Sequence, residues 1–403
     1  MLALAGARSA RLVLRAALAL TLVLGQLGAA VRPVVAQQPQ SGEVALKSPQ
    51  AIVMDAETGA VLYARNADEL IPPASMSKLM LLVMMFMALK SGELKPDTEF
   101  LMSEYAWRTG GAPSRAPAMF VPLGKSARVD ELIKGIIVQS ANDAAISVAE
   151  NMKGSEGLFA EAMTAEARRL GLKKSVFKNA TGFYDPEHLM TVREIAQLAR
   201  YIIKEFPEYY PLFSVKEFQY RIHKFHNRNP LLGVVAGVDG LKTGFTKEGG
   251  HGIVASAKQD NRRLIVAVAG AATAEDRRDD ARRLLEWGFR NYSEARLFDA
   301  GEIVGHARVW GGERMYMPLV GGEGVSVVLP RFPANPKVSA RIFYKGPLKP
   351  PVRKGEQVAT LRVTTTNDAT SEVPLYAAED VERAGFVRRG LDSLLYLATR
   401  WIP

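Results

Sequence analysis

A serine three residues ahead of a lysine, Ser75-Met76-Ser77-Lys78, stands at the head of the apolar run Leu79 to Leu89, after Pro72-Pro73. In a helix that starts there, residues three apart lie one turn apart on one face, so the Lys78 amine reaches the Ser75 hydroxyl. A serine hydroxyl is a poor nucleophile until a nearby base takes its proton, and a lysine serves when burial or neighbouring cations hold its pKa down. The helix start adds backbone N–H groups that favour developing negative charge. The chemistry this spacing offers is acyl transfer, with Ser75 attacking and Lys78 accepting the proton. Ser-x-x-Lys alone says little, since average composition yields roughly one or two in such a chain. A second copy, Ser175-Val176-Phe177-Lys178, precedes no apolar helix and reads as structural.

Two further groups supply donors and a cation. Ser140-Ala141-Asn142 follows Ile136-Ile137-Val138 and precedes Asp143-Ala144-Ala145. Its hydroxyl can pass a proton to a departing amine and its amide can hold a carbonyl; the same serine also suits a helix cap. Lys242-Thr243-Gly244 occurs once, inside VDGLKTGFT. A strand with Lys242 and Thr243 on its edge offers a cation and a hydroxyl to an anionic substrate, and Gly244 lets substrate backbone approach. Lys90-Ser91-Gly92 is a look-alike that reads as a helix end.

These groups need a scaffold. Ala51 to Asp55, the turn Glu57-Thr58-Gly59 and Ala60 to Tyr63 read as a β-hairpin. Leu79 to Leu89 is too short to cross a bilayer and reads as a buried core helix ending at Gly92. Helical patterning dominates Val129 to Met152, Glu156 to Leu170 and Thr191 to Phe206. Strand patterning resumes at Gly237 and runs through Gly252 to Ala257 and Arg263 to Ala269, about the turn Gln259-Asp260-Asn261. Glu275 to Trp287 then closes the domain as an amphipathic helix burying Leu284, Leu285 and Trp287. The fold class is α/β, an all-helical insertion between strands from both ends of the domain. From Gly301 to Pro374, Val-rich segments broken by Gly and Pro predict a small β-sandwich with no chemical motif.

The termini and charge bear on location and partners. Arg8, Arg11 and Arg15 precede the apolar Ala16 to Leu24, and Val34-Val35-Ala36 precedes Gln37. That is the pattern of a signal peptide for export across a bacterial inner membrane; a retained N-terminal anchor is the alternative. Near the other end, Val387, Leu391, Leu394, Leu395, Ala398 and Ile402 share a helical face, with Arg389, Asp392, Ser393 and Arg400 away from it. With Tyr396 and Trp401 this helix suits a membrane interface, or docking on its own domain. The net charge of +10 is spread out, without zinc-finger spacing or a basic block, so nucleic acid is not expected as a partner. Absence of cysteine excludes thiol nucleophiles and disulfides. With no H-E-x-x-H helix and no H-x3-H pair among His188, His223, His226, His251 and His306, no metal or cofactor is implied.

The trio Ser75-x-x-Lys78, Ser140-x-Asn142 and Lys242-Thr243-Gly244 resembles the penicillin-binding proteins and serine β-lactamases. PPASMSKLM, SANDAA and VDGLKTGFT with GGHGIVASA look most like the low-molecular-mass D-alanyl-D-alanine carboxypeptidases (peptidase S11-like), from about Ala51 to Tyr292 and more loosely to the chain end. The resemblance implies a DD-peptidase-like antiparallel sheet with a helical insertion, then a small β-sandwich domain and an amphipathic C-terminal helix on the periplasmic face of the inner membrane, touching anionic lipid. The expected organisation is 1–36 signal peptide, 37–48 linker, 49–295 catalytic domain, 296–378 β-rich domain and 379–403 anchoring helix.

Carried over residue by residue, the resemblance implies that Ser75 is acylated, Lys78 is the base, and Ser140 and Lys242 shuttle a proton to the departing D-alanine. Asn142 would hold the peptide carbonyl, and the backbone N–H groups of Ser75 and Phe245 would form the oxyanion hole. Phe245 stands where the family often carries histidine, which bears on substrate preference more than on catalysis. Thr243 and Arg263 would bind the terminal carboxylate, and Arg228 resembles a further arginine near the site; surface salt bridges are the alternative for both arginines. Peptidoglycan stem peptides would be substrates and β-lactams covalent inhibitors. No Glu-x-x-Leu-Asn stretch follows Ser140, so the deacylating glutamate of a class A β-lactamase is not in evidence. A DD-endopeptidase and a non-catalytic wall-binding protein are the remaining alternatives.

Overall fold

A computed structural model describes residues 44–331, 337–365 and 370–390. The expected signal peptide, most of the linker and the distal part of the expected terminal helix lie outside these residues. The described chain forms two compact units divided in sequence between Asn291 and Tyr292, slightly ahead of the anticipated boundary at 295.

In the first unit, β1 (Gln50–Asp55) and β2 (Val61–Arg65) form the expected antiparallel hairpin. Asp55 shapes its turn by accepting from the Thr58 backbone N–H and hydroxyl at 2.9 and 2.8 Å. A 3-10 turn, Ala74–Ser77, leads into α1 (Lys78–Ser91), which Gly92 caps. The helical insertion then holds α2 (Glu104–Gly110), α3 (Val129–Lys134), α4 (Asn142–Lys153), α5 (Glu156–Arg169) and α6 (Val192–Glu205). Within it β3 (Glu99–Leu101) pairs with β4 (Ser126–Arg128), and β5 (Glu217–Tyr220) with β6 (His223–His226). The chain returns as β7 (Val238–Thr246), β8 (Gly250–Gln259) and β9 (Arg262–Ala271), and α7 (Ala274–Asn291) closes the unit.

The main sheet is antiparallel in the order β2-β1-β9-β8-β7. Ile52, Met54, Ile265 and Ala267 join the core of the helical insertion. Alternate residues face the other way, and Val53 and Leu264 meet Gly288 of α7. Because both faces are covered, β9 reads as a continuous apolar run rather than an alternating one. Every residue from Leu79 to Val83 of α1 is fully buried, so this helix is apolar all round because it is the core of the unit. Phe86 anchors it among Phe206, Tyr209 and Phe213, with ring centroids 5.7, 5.0 and 6.4 Å away.

Two expectations need correction. Helical patterning from Val129 to Met152 is interrupted: α3 passes into a π-helical turn, Gly135–Gln139, Ser140 is left-handed (φ 63°, ψ 32°), and the helix restarts at Asn142. Tertiary hydrogen bonds replace helical ones there, as the Val138 carbonyl accepts from the Arg228 N–H at 3.2 Å and the Asn142 N–H donates to the Pro117 carbonyl at 2.8 Å. The two short strand pairs of the insertion also precede Gly237, where strands were expected to resume; strands of three or four residues are too short to show a period of two.

The second unit is β-rich. Strands β10 (Tyr292–Phe298) and β13 (Val325–Pro330) pair with each other. A five-stranded sheet has the order β11 (Ile303–Arg308), β12 (Tyr316–Gly321), β16 (Thr370–Ala377), β15 (Gln357–Thr365), β14 (Val338–Phe343). Both sheets contribute to one apolar core that includes Leu297, Val327, Leu319, Leu361 and Leu375. This is the architecture expected of a small sandwich.

Phe86→Ala is expected to lower the stability of the first unit by about 3–5 kcal/mol, because the aromatic cluster around it can only partly collapse into the cavity. A drop in the urea midpoint of its unfolding measures this, and a change below about 1 kcal/mol would contradict the packing described.

Candidate active site

Ser75 is the second residue of the 3-10 turn and follows Ala74, whose φ of 49° is left-handed. Lys78 is the first residue of α1 and is fully buried. One turn back, its Nζ lies 2.9 Å from Ser75 Oγ; it also donates to Asn142 Oδ1 at 2.7 Å and to the Thr181 carbonyl. Ser75 Oγ makes a longer 3.4 Å contact with the same carbonyl. Burial brings the Lys78 pKa down to about 7; the Glu156 charge opposes this and Arg228 adds to it. Near neutrality the amine therefore exists in both forms. Protonated, it donates to Ser75; neutral, it keeps two donors for Asn142 and Thr181 and turns its lone pair to the Ser75 hydroxyl.

The segment carrying Thr181 is folded by Asn179, whose Oδ1 accepts from the N–H groups of Thr181 and Gly182 at 3.2 and 2.7 Å. Gly182 has a φ of 78°, and a Cβ there would fall 2.1 Å from the Ala74 carbonyl oxygen, so only glycine lets this loop cross beneath the turn of Ser75. On the other side, the buried Asp143 carboxylate accepts from the N–H groups of Met119 and Phe120, both at 2.8 Å, fixing the loop that faces Asn142. With Oδ1 turned to Lys78, Asn142 has its Nδ2 left to donate. Ser140 does not cap α4: the cap position is Ala141, without a side-chain bond.

Lys242 on β7 is 2% exposed and donates to the Thr243 carbonyl at 3.1 Å. Burial first, then the charges of Lys78, Arg228 and Arg277, hold its pKa well below the usual lysine value. Two buried lysines that repel each other resist double protonation, which keeps a neutral amine in the site.

One cleft is lined by Ser75, Ser140, Asn142, Arg228, Thr243, Gly244 and Phe245, so seven of the expected residues converge there, with Lys78 and Lys242 buried behind them. Arg263 does not join them. Its guanidinium is held by both Asp239 oxygens at 2.7 Å, by Ser256 at 2.9 Å and by Tyr210 at 3.1 Å. In register it pairs with Lys258, whereas Phe245 pairs with His251; the seven steps from one to the other along β8 span roughly 23 Å. Gly244 also needs a different explanation. A Cβ there would meet the Pro73 carbonyl oxygen at 2.9 Å and the Ala74 Cβ at 3.0 Å, so the backbone it admits closely is the chain's own turn at Ser75. The second Ser-x-x-Lys is structural: Ser175 donates to Glu194 at 2.5 Å and Lys178 pairs with Glu187 at 2.7 Å.

Arg277, in the first turn of α7, lines the cleft and was not singled out from sequence. Its Nε is buried with no partner among the described residues, and burial followed by the like charge of Arg228 disfavours its cation, so a bound anion would relieve both. It was hidden in the charged run Glu275 to Arg278, where nothing distinguishes it. His251 was also missed. It stacks on Phe245 at 4.2 Å between ring centroids and forms the same wall. The β7–β8 register, counted from the turn at Lys247 to Gly249, is the signal that finds it.

Residues 34–273 match the D-alanyl-D-alanine carboxypeptidase family, and residues 292–383 match the penicillin-binding protein 5 C-terminal domain. The chain is 34% identical over 352 residues to the D-alanyl-D-alanine carboxypeptidase DacC of Escherichia coli, covering 87% of this chain and 88% of that one. It is 31% identical over 357 residues to the D-alanyl-D-alanine carboxypeptidase DacF of Bacillus subtilis, covering 86% and 89%. Among solved structures, penicillin binding protein 5 from Haemophilus influenzae superposes with a TM-score of 0.74 at 30% identity, over 85% of this chain and all of that one.

Gly182→Ala is expected to cost about 2 kcal/mol or more, combining a strained φ with the overlap at Ala74. Thermal unfolding should show a loss of about 4–8 °C in Tm; an unshifted Tm would mean the loop does not cross beneath Ser75 as described.

Proposed function

The chain belongs to the D-alanyl-D-alanine carboxypeptidase family, and from that premise we propose that it works as a serine hydrolase, removing the terminal D-alanine of peptidoglycan pentapeptides through an acyl-enzyme on Ser75. The observation that carries the serine mechanism is the 2.9 Å contact between Ser75 Oγ and a Lys78 amine whose pKa is about 7. Ser75 Oγ attacks the penultimate carbonyl carbon while Lys78 takes its proton. The N–H groups of Ser75 and Phe245 stabilise the oxyanion. When the C–N bond breaks, the proton that Lys78 took passes through Ser140 and Lys242 to the leaving D-alanine nitrogen, which returns Lys78 to its neutral form. Water then attacks the ester, giving a proton to Lys78, and Lys78 returns it to the Ser75 oxygen as the ester bond breaks, freeing the shortened peptide and regenerating Ser75.

Asn142 Nδ2 is suited to the substrate carbonyl. Thr243 and Arg277, rather than Arg263, suit the terminal carboxylate, with Arg228 adding positive potential. A β-lactam carbonyl would be attacked in the same way, leaving a covalent label on Ser75. The N-terminal pattern supports export. The apolar and basic faces of the terminal helix support peripheral attachment to anionic lipid on the periplasmic side of the inner membrane.

Incubation with a fluorescent penicillin and with a D-Ala-D-Ala-terminated peptide tests the reading. The native protein should take the label and release D-alanine, and Ser75→Ala should do neither; release that survives in the variant would sink the serine mechanism. Because Lys78 acts when neutral, the acylation rate should rise as pH passes through about 7 and fall about tenfold per unit below it, which stopped-flow labelling between pH 5 and 9 measures. Arg277→Ala should raise KM for the peptide about tenfold to a hundredfold with a smaller change in kcat, and an unchanged KM would remove Arg277 from the carboxylate site.

A further inference from the structure

Glu156 is buried in the first turn of α5, and its carboxylate bridges two other segments. One oxygen accepts the Ala180 N–H at 2.9 Å and the other accepts the Tyr105 hydroxyl of α2 at 2.9 Å. Ala180 immediately precedes Thr181, whose carbonyl faces both Lys78 Nζ and Ser75 Oγ. No step of the reaction above uses Glu156, yet burying a carboxylate is costly unless its bonds are well placed. We propose that Glu156 is the positioning residue of the acylation site, pinning the Thr181 carbonyl against the Lys78 amine and the Ser75 hydroxyl and placing a negative charge within the electrostatic reach of Lys78.

The groups facing Lys78 come from every surrounding element. They are Glu156 of α5, Asp143 of α4, Arg228 after β6, Lys242 of β7 and His188 ahead of α6. Only Glu156 and Asp143 among them are carboxylates. Asp143 spends its oxygens on the N–H groups of Met119, Phe120, Val121 and Ala144. Of the charges acting on Lys78, that of Glu156 opposes the effect of burial most. Tyr105 remains a neutral donor, its pKa pushed up to about 12 by burial and then by Glu156. Glu156 thus has a geometric role, through Ala180, and an electrostatic one, through its charge.

The two roles separate in variants, and the test rests on Lys78 being the acylation base. Glu156→Gln keeps an acceptor for Ala180 but removes the charge, so the acid limb of penicillin acylation should move to lower pH by about half a unit to one unit. Glu156→Asp keeps the charge but withdraws it from Ala180, so the plateau rate should fall about tenfold or more with the limb held close to its native pH. Tyr105→Phe, which leaves both the charge and the Ala180 bond, should leave the limb in place. Circular dichroism checks folding, and a purely structural Glu156 would lower Tm without moving the limb. A folded Glu156→Gln protein with an unmoved limb, or a Glu156→Asp protein with an unchanged plateau, overturns the proposal. A native profile that is flat through pH 7 would instead overturn Lys78 as base, and this proposal with it.

Discussion

The interaction on which this structure depends is a lysine amine held out of water at the head of an apolar helix. An ammonium at such a place loses its hydration, and burial alone drives its pKa toward neutrality. What keeps it from being merely destabilising is that three oxygens from three separate segments meet it: Ser75 from its own turn, Asn142 from the start of α4, and the Thr181 carbonyl. Each acceptor requires its own segment to be fixed. The helical insertion can be understood as the means of bringing Asn142 and Thr181 to an amine that the sheet-side turn presents.

The same economy governs the positive charge. Lys78, Lys242, Arg228 and Arg277 gather around one cleft, and the first two are fully enclosed. Like charges in a low-dielectric site push one another toward neutrality, which favours an uncharged amine there. The arginines, which stay charged, leave a positive field at the cleft that only an anion can compensate. One cluster therefore combines a buried amine beside the Ser75 hydroxyl with, among the described residues, an arginine Nε in the cleft that has no partner. Arg263 illustrates the contrast, since Asp239 neutralises it at the far end of β7 and nothing remains of it for a ligand.

What was legible in the sequence was whatever local geometry fixes. The Ser75–Lys78 pair is a helical spacing, α1 announces itself as an unbroken apolar run, and the β1–β2 and β8–β9 connections carry turn residues. The break at Ser140 was illegible because no glycine or proline stands from Ile136 to Asn142; hydrogen bonds from Arg228 and to Pro117, distant in sequence, pay for it. Arg263 and Arg277 could not be ranked from sequence for a related reason. Both follow β8 within a short stretch rich in arginine, and only strand register decides which one returns to the end of the sheet that holds Lys242 and Thr243. Glu156 left no signal either, since a glutamate after a serine at a helix start is ordinary capping chemistry.

Backbone strain gives the arrangement its rigidity. Ala74 and Ser140 are both left-handed, and neither is glycine, so each costs about 1–3 kcal/mol unless its surroundings leave no alternative. Ala74 is trapped between Gly182 below and Gly244 beside it, at separations where neither glycine can carry a side chain. Ser140 is trapped between Arg228 and the loop that Asp143 ties down. The Ser75 turn is thus clamped by one glycine from the sheet and one from the insertion. A change that loosened the contact between these layers would leave Ser75 and Lys78 together on their shared turn but draw the Asn142 and Thr181 acceptors, which the insertion carries, away from the amine.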